Sequence, residues 1–254
     1  MDGPKMEQFI HEVVLAREGV ASFDDFPFNI PVVRQFGRMA MHPKATFFIG
    51  DNGCGKSTLL EAIAVADGVA VEGVGRAAAP RSGAAALAKA LRLVRGARRQ
   101  KTIDGFYLRT ESFVDAATRP EQLNANEEWK KQWGGRPLFE QSQGESYLSL
   151  LRHRFRGNGL FLLDEPEAAL SQRGQLGMLR VMHDLIRRGS QFVVATHSPI
   201  LMAYPEAWIY EFSANGLRRV DYDKTDHHRI LSAFLARREK IVEELLAEED
   251  QDRA

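Results

Sequence analysis

Nine consecutive residues, Gly50-Asp51-Asn52-Gly53-Cys54-Gly55-Lys56-Ser57-Thr58, have the types and spacing that phosphate chemistry needs. Glycines without Cβ atoms let successive backbone N–H groups turn inward around an anion, and a helix opening directly afterwards adds its positive end. In such a loop the lysine reaches the β- and γ-phosphates and the next hydroxyl binds the accompanying metal, which assigns those roles to Lys56 and Ser57. The expected ligand is therefore a nucleoside triphosphate with magnesium. The flanks agree: residues 45–49 are a short β-branched and aromatic run, and residues 59–64, Leu-Leu-Glu-Ala-Ile-Ala, are good helix formers.

Two more groups could complete phosphoryl transfer. Asp164 and Glu165 follow the apolar run 160–163 and precede Pro166. Asp164 suits the magnesium shell, and Glu165 suits the orientation and deprotonation of an attacking water. His197 follows a second apolar run, 191–195, and precedes Ser198-Pro199, a placement that would set its imidazole beside the γ-phosphate as a hydrogen-bonding sensor. Lys56, Glu165 and His197 are the expected catalytic set. His11, His42, His153, His183, His227 and His228 are read as structural or exposed, and no histidine pairs with the single cysteine at zinc spacing.

These groups need elements to carry them. Runs 159–163 and 191–195 are short and continuously apolar, as strands buried on both faces of a parallel sheet are. Parallel strands would bring Asp164, His197 and the phosphate loop to one sheet edge. Helices are expected over 84–93, 147–155 and 175–188, a strand over 103–108, and a helix plus loop over 118–137; residues 68–83 read as looser. The chain of 254 residues is long enough for one full α/β domain. The expected division is a β entry lobe over about 1–45, a nucleotide-binding core over 46–70 and 156–254, and a helical subdomain over 71–155.

Lysine plus arginine equals aspartate plus glutamate, 34 against 34, so global charge implies no polyanion or membrane partner. Charge is nonetheless uneven: residues 73–103 hold eight basic side chains and no acidic one, and residues 243–252 are mostly acidic. One cysteine excludes an internal disulfide, and neither a signal peptide nor an apolar run of membrane-spanning length is evident, so a cytoplasmic protein is expected. Cys54, within the loop near Lys56 and a helix N-terminus, sits where thiols become reactive, although a small space-filling residue would explain it equally.

Gln141-Ser142-Gln143-Gly144-Glu145 stands before the 147–155 helix, where alone it would be a helix cap. The order of all four motifs resembles that of the ATP-binding cassette (ABC) ATPases, whose signature serine, glycine and acidic position match Ser142, Gly144 and Glu145; Gln141 and Gln143 depart from it. Further stretches, including 26–31, 104–109 and 198–205, resemble a soluble standalone bacterial AAA/ABC-like group related to RecF- and SMC-type heads. The resemblance implies a P-loop fold with a mostly parallel sheet flanked by helices, an N-terminal β lobe and a helical subdomain. It also implies ATP as ligand and a homodimer in which Ser142, Gly144 and Glu145 of one copy close over the nucleotide of the other. The family's magnesium-touching glutamine has no clear counterpart; Glu111 is the nearest replacement. The adenine-stacking residue is unassigned among Phe28, Arg34 and Phe36.

Three functions follow from these observations. The first is a soluble ATPase that dimerises on Mg-ATP and drives or gates a nucleic-acid or protein partner, with the basic residues of 76–101 as one contact surface. The second is the nucleotide-binding subunit of a transporter, against which Glu167 and Ser198-Pro199 count as departures. The third is an ATP-switched binding module with little turnover.

Overall fold

The structure, a computed structural model, describes residues 8–73, 76–77, 82–96, 104–111, 113, 141–155 and 157–251. The expected helix and loop over 118–137 lie outside them, as does part of the basic stretch.

The main sheet has eight strands in the order β11-β10-β3-β9-β8-β7-β4-β5. They are β3 (Ala45–Gly50), β4 (Ala70–Gly73), β5 (Arg76–Ala77), β7 (Asp104–Arg109), β8 (Gly159–Asp164), β9 (Gln191–Ala195), β10 (Trp208–Ser213) and β11 (Gly216–Val220). The six central strands pair in parallel, and β5 and β11 close the edges antiparallel. A second, antiparallel sheet joins β1 (Ile10–Leu15), β2 (Arg38–Ala40) and β6 (Leu91–Arg95) in the order β2-β1-β6.

The continuous apolar strands are read correctly because both sheet faces are covered. Successive residues alternate between two cores: Phe48, Leu160, Leu162 and Val193 pack with α2 (Lys56–Asp67) and α3 (Ser82–Ala90). Phe47, Ile49, Phe161, Leu163 and Val194 pack with α4 (Gln143–His153) and α5 (Gln172–Arg187). Phe161 stacks on Phe155 with centroids 4.2 Å apart. The two sheets are joined by Gln191, whose Oε1 accepts from the Phe9 and Ile10 amides while Nε2 donates to the Ile10 and His42 carbonyls. A buried amide side chain satisfied at both ends specifies how the small sheet seats on β9.

Four local expectations change. The helix expected over 84–93 is α3, ending at Ala90; Leu91–Arg95 instead extends as β6, where Leu93 pairs with Val13 and Leu91 with Leu15. Pairing with β1 overrides a sequence that is equally compatible with helix. The looser segment 68–83 contains β4 and β5, and β4 joins the main sheet beside β7. The entry lobe includes a short helix, α1 (Pro31–Gln35), besides its strands. Helices expected at 147–155 and 175–188 begin earlier, because Ser142 and Ser171 cap the first free N–H groups of α4 and α5.

Candidate functional site

The sequence turns sharply at the end of β3 because its glycines permit it. Gly50 has φ +133°, and a Cβ there would lie 2.3 Å from the Phe212 carbonyl oxygen; Gly55 has φ +100° and abuts Ile30. Lys56, the first residue of α2, is 4% exposed, and its ammonium donates to the Gly50 and Asp51 carbonyls at 2.8 and 2.9 Å. Cys54 is half-buried, its sulfur 3.9 Å from Lys56 Nζ.

Parallel pairing brings the distant groups to this loop. The Ser57 hydroxyl donates to Asp164 Oδ1 at 2.8 Å, across 107 positions of sequence. Tyr107 OH donates to Asp164 Oδ2 at 3.2 Å, and Thr110 Oγ1 donates to the Asp164 carbonyl at 3.0 Å. Burial, helped by the Glu165 charge and only partly offset by the hydrogen bonds from Ser57 and Tyr107 and by Arg109, pushes the Asp164 carboxyl up to about 6. A buried carboxylate whose ionised form is short of positive charge, beside a hydroxyl, is a hard-oxygen donor set that fits magnesium. Among the described residues no three His, Cys, Asp or Glu side chains gather as a self-sufficient metal cage. Phosphate oxygens and water would complete such a shell.

Glu165 leaves the strand with φ 49° and ψ 52°, a left-handed conformation that costs a non-glycine residue on the order of 1 kcal/mol. Its amide donates to the Ala195 carbonyl at 2.9 Å, and Pro166 opens the short 3-10 turn Pro166–Ala169. The carboxylate is thereby turned away from the sheet, with Oε1 3.9 Å from His197 Nε2. Burial, then the Lys56 charge, lowers the His197 pKa, so the imidazole is neutral near pH 7. Its Nε2 is buried without a hydrogen-bond partner among the described residues, as a group awaiting an acceptor or donor on a ligand would be.

Sequence reasoning missed the residues that hold this arrangement. Glu167 accepts from the His197 amide at 2.5 Å and the Thr196 hydroxyl at 2.7 Å. Ser198, the N-cap of α6 (Pro199–Met202), donates to Gln175 Oε1 at 2.6 Å, tying the turn after β9 to α5. Arg109 forms a pair with Glu61 of α2 at 2.6 Å, both side chains nearly buried. His227, read as structural or exposed, lies with its ring centroid 5.7 Å from that of His197. The spacing of these residues along the chain carries no periodic signal that could have found them.

Ser142 is the N-cap of α4 and forms a capping box: Ser142 N–H and Oγ–H donate to Glu145 Oε2, and Glu145 N–H donates to Ser142 Oγ. Both residues are exposed. Gly144 faces the Asp-Glu-Pro turn, where a Cβ would lie 3.2 Å from the Ala169 carbonyl oxygen. Glu111 is exposed two residues beyond Arg109, which pairs in register with Asp164, and so stands at the same sheet edge. Of the three aromatic-face candidates, Phe36 is core, Phe28 packs partly against it, and Arg34 pairs with Asp24 at 3.3 Å.

Comparisons with known proteins bear on this site. A family model described as an AAA domain matches residues 15–68. The hemin import ATP-binding protein HmuV of Streptomyces coelicolor is 36% identical over 170 residues, covering 61% of this chain and 60% of that protein. The cytochrome c biogenesis ATP-binding export protein CcmA of Rhodopseudomonas palustris is 43% identical over 53 residues, 21% of this chain and 26% of that protein. The chain thus spans less than two thirds of the length of either. Among solved structures, the SMC head domain from Thermotoga maritima aligns over 84% of this chain and 98% of its own, at 15% identity and TM-score 0.47. An ATP-binding cassette of an ABC transporter in its ADP conformation aligns over 82% and 90%, at 16% identity and TM-score 0.46. No helix among the described residues is long and apolar enough to cross a membrane.

Proposed function

We propose that this chain, which carries an ABC-type P-loop ATPase core of α/β class, binds Mg-ATP, pairs with a second copy on binding it, and hydrolyses it to drive or gate a partner. The carrying observation is the 2.8 Å hydrogen bond between Ser57 and Asp164, which joins the phosphate loop to the acidic strand end, with Glu165 and His197 beside them.

The roles follow from position. Lys56 exchanges its loop carbonyls for β- and γ-phosphate oxygens. Ser57 and Asp164 hold magnesium, with Glu111 at the same edge as a further carboxylate. The metal, when bound, neutralises charge developing on the phosphate oxygens. Glu165 orients a water and takes its proton, and neutral His197 hydrogen-bonds to the γ-phosphate. The exposed capping box of Ser142 and Glu145, with Gly144, meets the nucleotide of the second copy. Because α4 packs on the turn that follows Glu165, closure of that interface bears directly on the catalytic carboxylate.

Lys56→Ala tests the phosphate-site reading. Titration with a fluorescent ATP analogue plus magnesium should show tight binding by the wild type and none by the variant; equal binding by both would overturn it. The similarity to import and export ATP-binding proteins supports a second reading, a transporter's nucleotide-binding subunit, which stable co-purification with a membrane protein would favour. A protein that binds and dimerises without releasing phosphate would be an ATP-switched module instead. Of the basic stretch, Arg95 is exposed and pairs with nearly buried Asp67 at 3.0 Å.

A further inference from the structure

We propose that His227, carried by a C-terminal helix, is a second imidazole contact for the terminal phosphate, an assignment that rests on the Mg-ATP reading above. Its helix, α7 (Asp226–Ala236), begins after the N-cap Thr225 and has no fully buried residue. His227 is nevertheless half-buried. Its ring lies 5.7 Å, centroid to centroid, from His197, whose Nε2 is in turn 3.9 Å from Glu165.

The adjacent histidine shows what a structural role looks like on this helix. His228 packs on the Tyr222 ring at 4.7 Å, tying α7 to the preceding 3-10 turn Tyr222–Lys224. His227 points elsewhere, and among the described residues its ring nitrogens have no hydrogen-bond partner. Burial, His197 and the Lys56 charge hold its pKa below the usual value, against the opposing pull of Asp226 and Asp51. A neutral imidazole presents one N–H donor, and a terminal phosphate presents acceptor oxygens only. Two neutral imidazoles with centroids 5.7 Å apart, one of them 3.9 Å from Glu165, thus complement a phosphate group that extends beyond the β position. A diphosphate would leave His227 without a partner.

The test compares Mg-ATP and Mg-ADP affinities of the full chain by displacement of a fluorescent nucleotide. His227→Ala should weaken Mg-ATP binding roughly tenfold or more and leave Mg-ADP unchanged, since hydrogen bonds to charged groups are the stronger class. His227→Gln, which keeps a donor, should recover most of that loss, with unfolding midpoints confirming that both variants fold. Unchanged Mg-ATP affinity in His227→Ala, or an equal loss for both nucleotides, overturns the assignment. Lys56→Ala separates the two levels: if it abolishes binding while His227→Ala leaves Mg-ATP affinity unchanged, only this inference falls. If Lys56→Ala leaves binding intact, the phosphate-site reading falls and this inference with it.

Discussion

Glu167 holds His197 by its backbone: the carboxylate Oε1 accepts the His197 amide at 2.5 Å, while Oε2 accepts the Thr196 hydroxyl. The turn after β9 is thereby tied to the turn after β8, and the separation between the His197 ring and Glu165 depends on a residue that touches neither side chain. Burial raises the Glu167 pKa, which its hydrogen bonds from the His197 amide and Thr196 oppose.

Removing that tie should uncouple positioning from binding. Glu167→Ala leaves the His197 amide and the Thr196 O–H without their acceptor, although the Thr196 oxygen still accepts from the Ser198 amide, which should cost about 1–3 kcal/mol of stability. Phosphate release should fall at least tenfold, while Mg-ADP affinity stays within about threefold, because the loop is untouched. Glu167→Gln keeps an acceptor for the amide and should lose less of both. Urea unfolding and single-turnover phosphate release measure the two effects, and an Ala variant with unchanged turnover would show that His197 is positioned otherwise.

Glu165→Gln should bind Mg-ATP like the wild type and lower turnover by roughly 10²- to 10⁴-fold, the range expected for loss of a general base. Steady-state phosphate release together with nucleotide titration checks this. Normal turnover would assign the base elsewhere.

Ser142→Arg, made in the Glu165→Gln background, should leave nucleotide binding intact and abolish ATP-dependent dimerisation. The exposed cap of α4 would then carry a bulky side chain where the second copy's nucleotide must approach. Analytical ultracentrifugation with and without Mg-ATP reads the result, and a dimer that persists would move the interface away from Ser142.

Acid should destabilise the fold through His42. Its Nδ1 accepts from the Lys44 amide at 3.2 Å and lies 3.4 Å from that of Ala45, which requires that nitrogen to be unprotonated. Burial, Lys44 and Arg219 lower its pKa from 6.5 to about 4. Because the folded value is depressed, this contribution is complete above pH 6.5 and is lost as pH falls from there through about 4. For a half-buried ring, solvent screening reduces the effect to on the order of 1–2 kcal/mol. Urea unfolding at pH 7 and pH 4.5 should show the loss in wild type and a smaller one in His42→Asn. Equal losses would exclude His42 as the titrating group.

The contiguous motifs were legible because each specifies local backbone. Gly50 and Gly55 permit positive φ, Ser142 with Glu145 forms a capping box, and the apolar runs before Asp164 and His197 demand a sheet buried on both faces. Parallel pairing of those runs was enough to expect Lys56, Ser57, Asp164, Glu165 and His197 at one edge. Residues 91–95 show the limit: the same side chains suit helix or strand, and pairing with β1 decides between them.

Tertiary structure alone decided which distant polar groups would meet. Tyr107 reaches Asp164 because β7 lies beside β8, Arg109 finds Glu61 because α2 covers that face, and His227 comes to His197 through the packing of a helix near the end of the chain. Local dihedral preferences act over a few residues, whereas these contacts depend on strand order and layer packing, which no short segment encodes by itself. The amino-acid sequence alone therefore determined the glycine loop, the helix caps and the buried strands, and the assembled fold determined which polar side chains meet beside them.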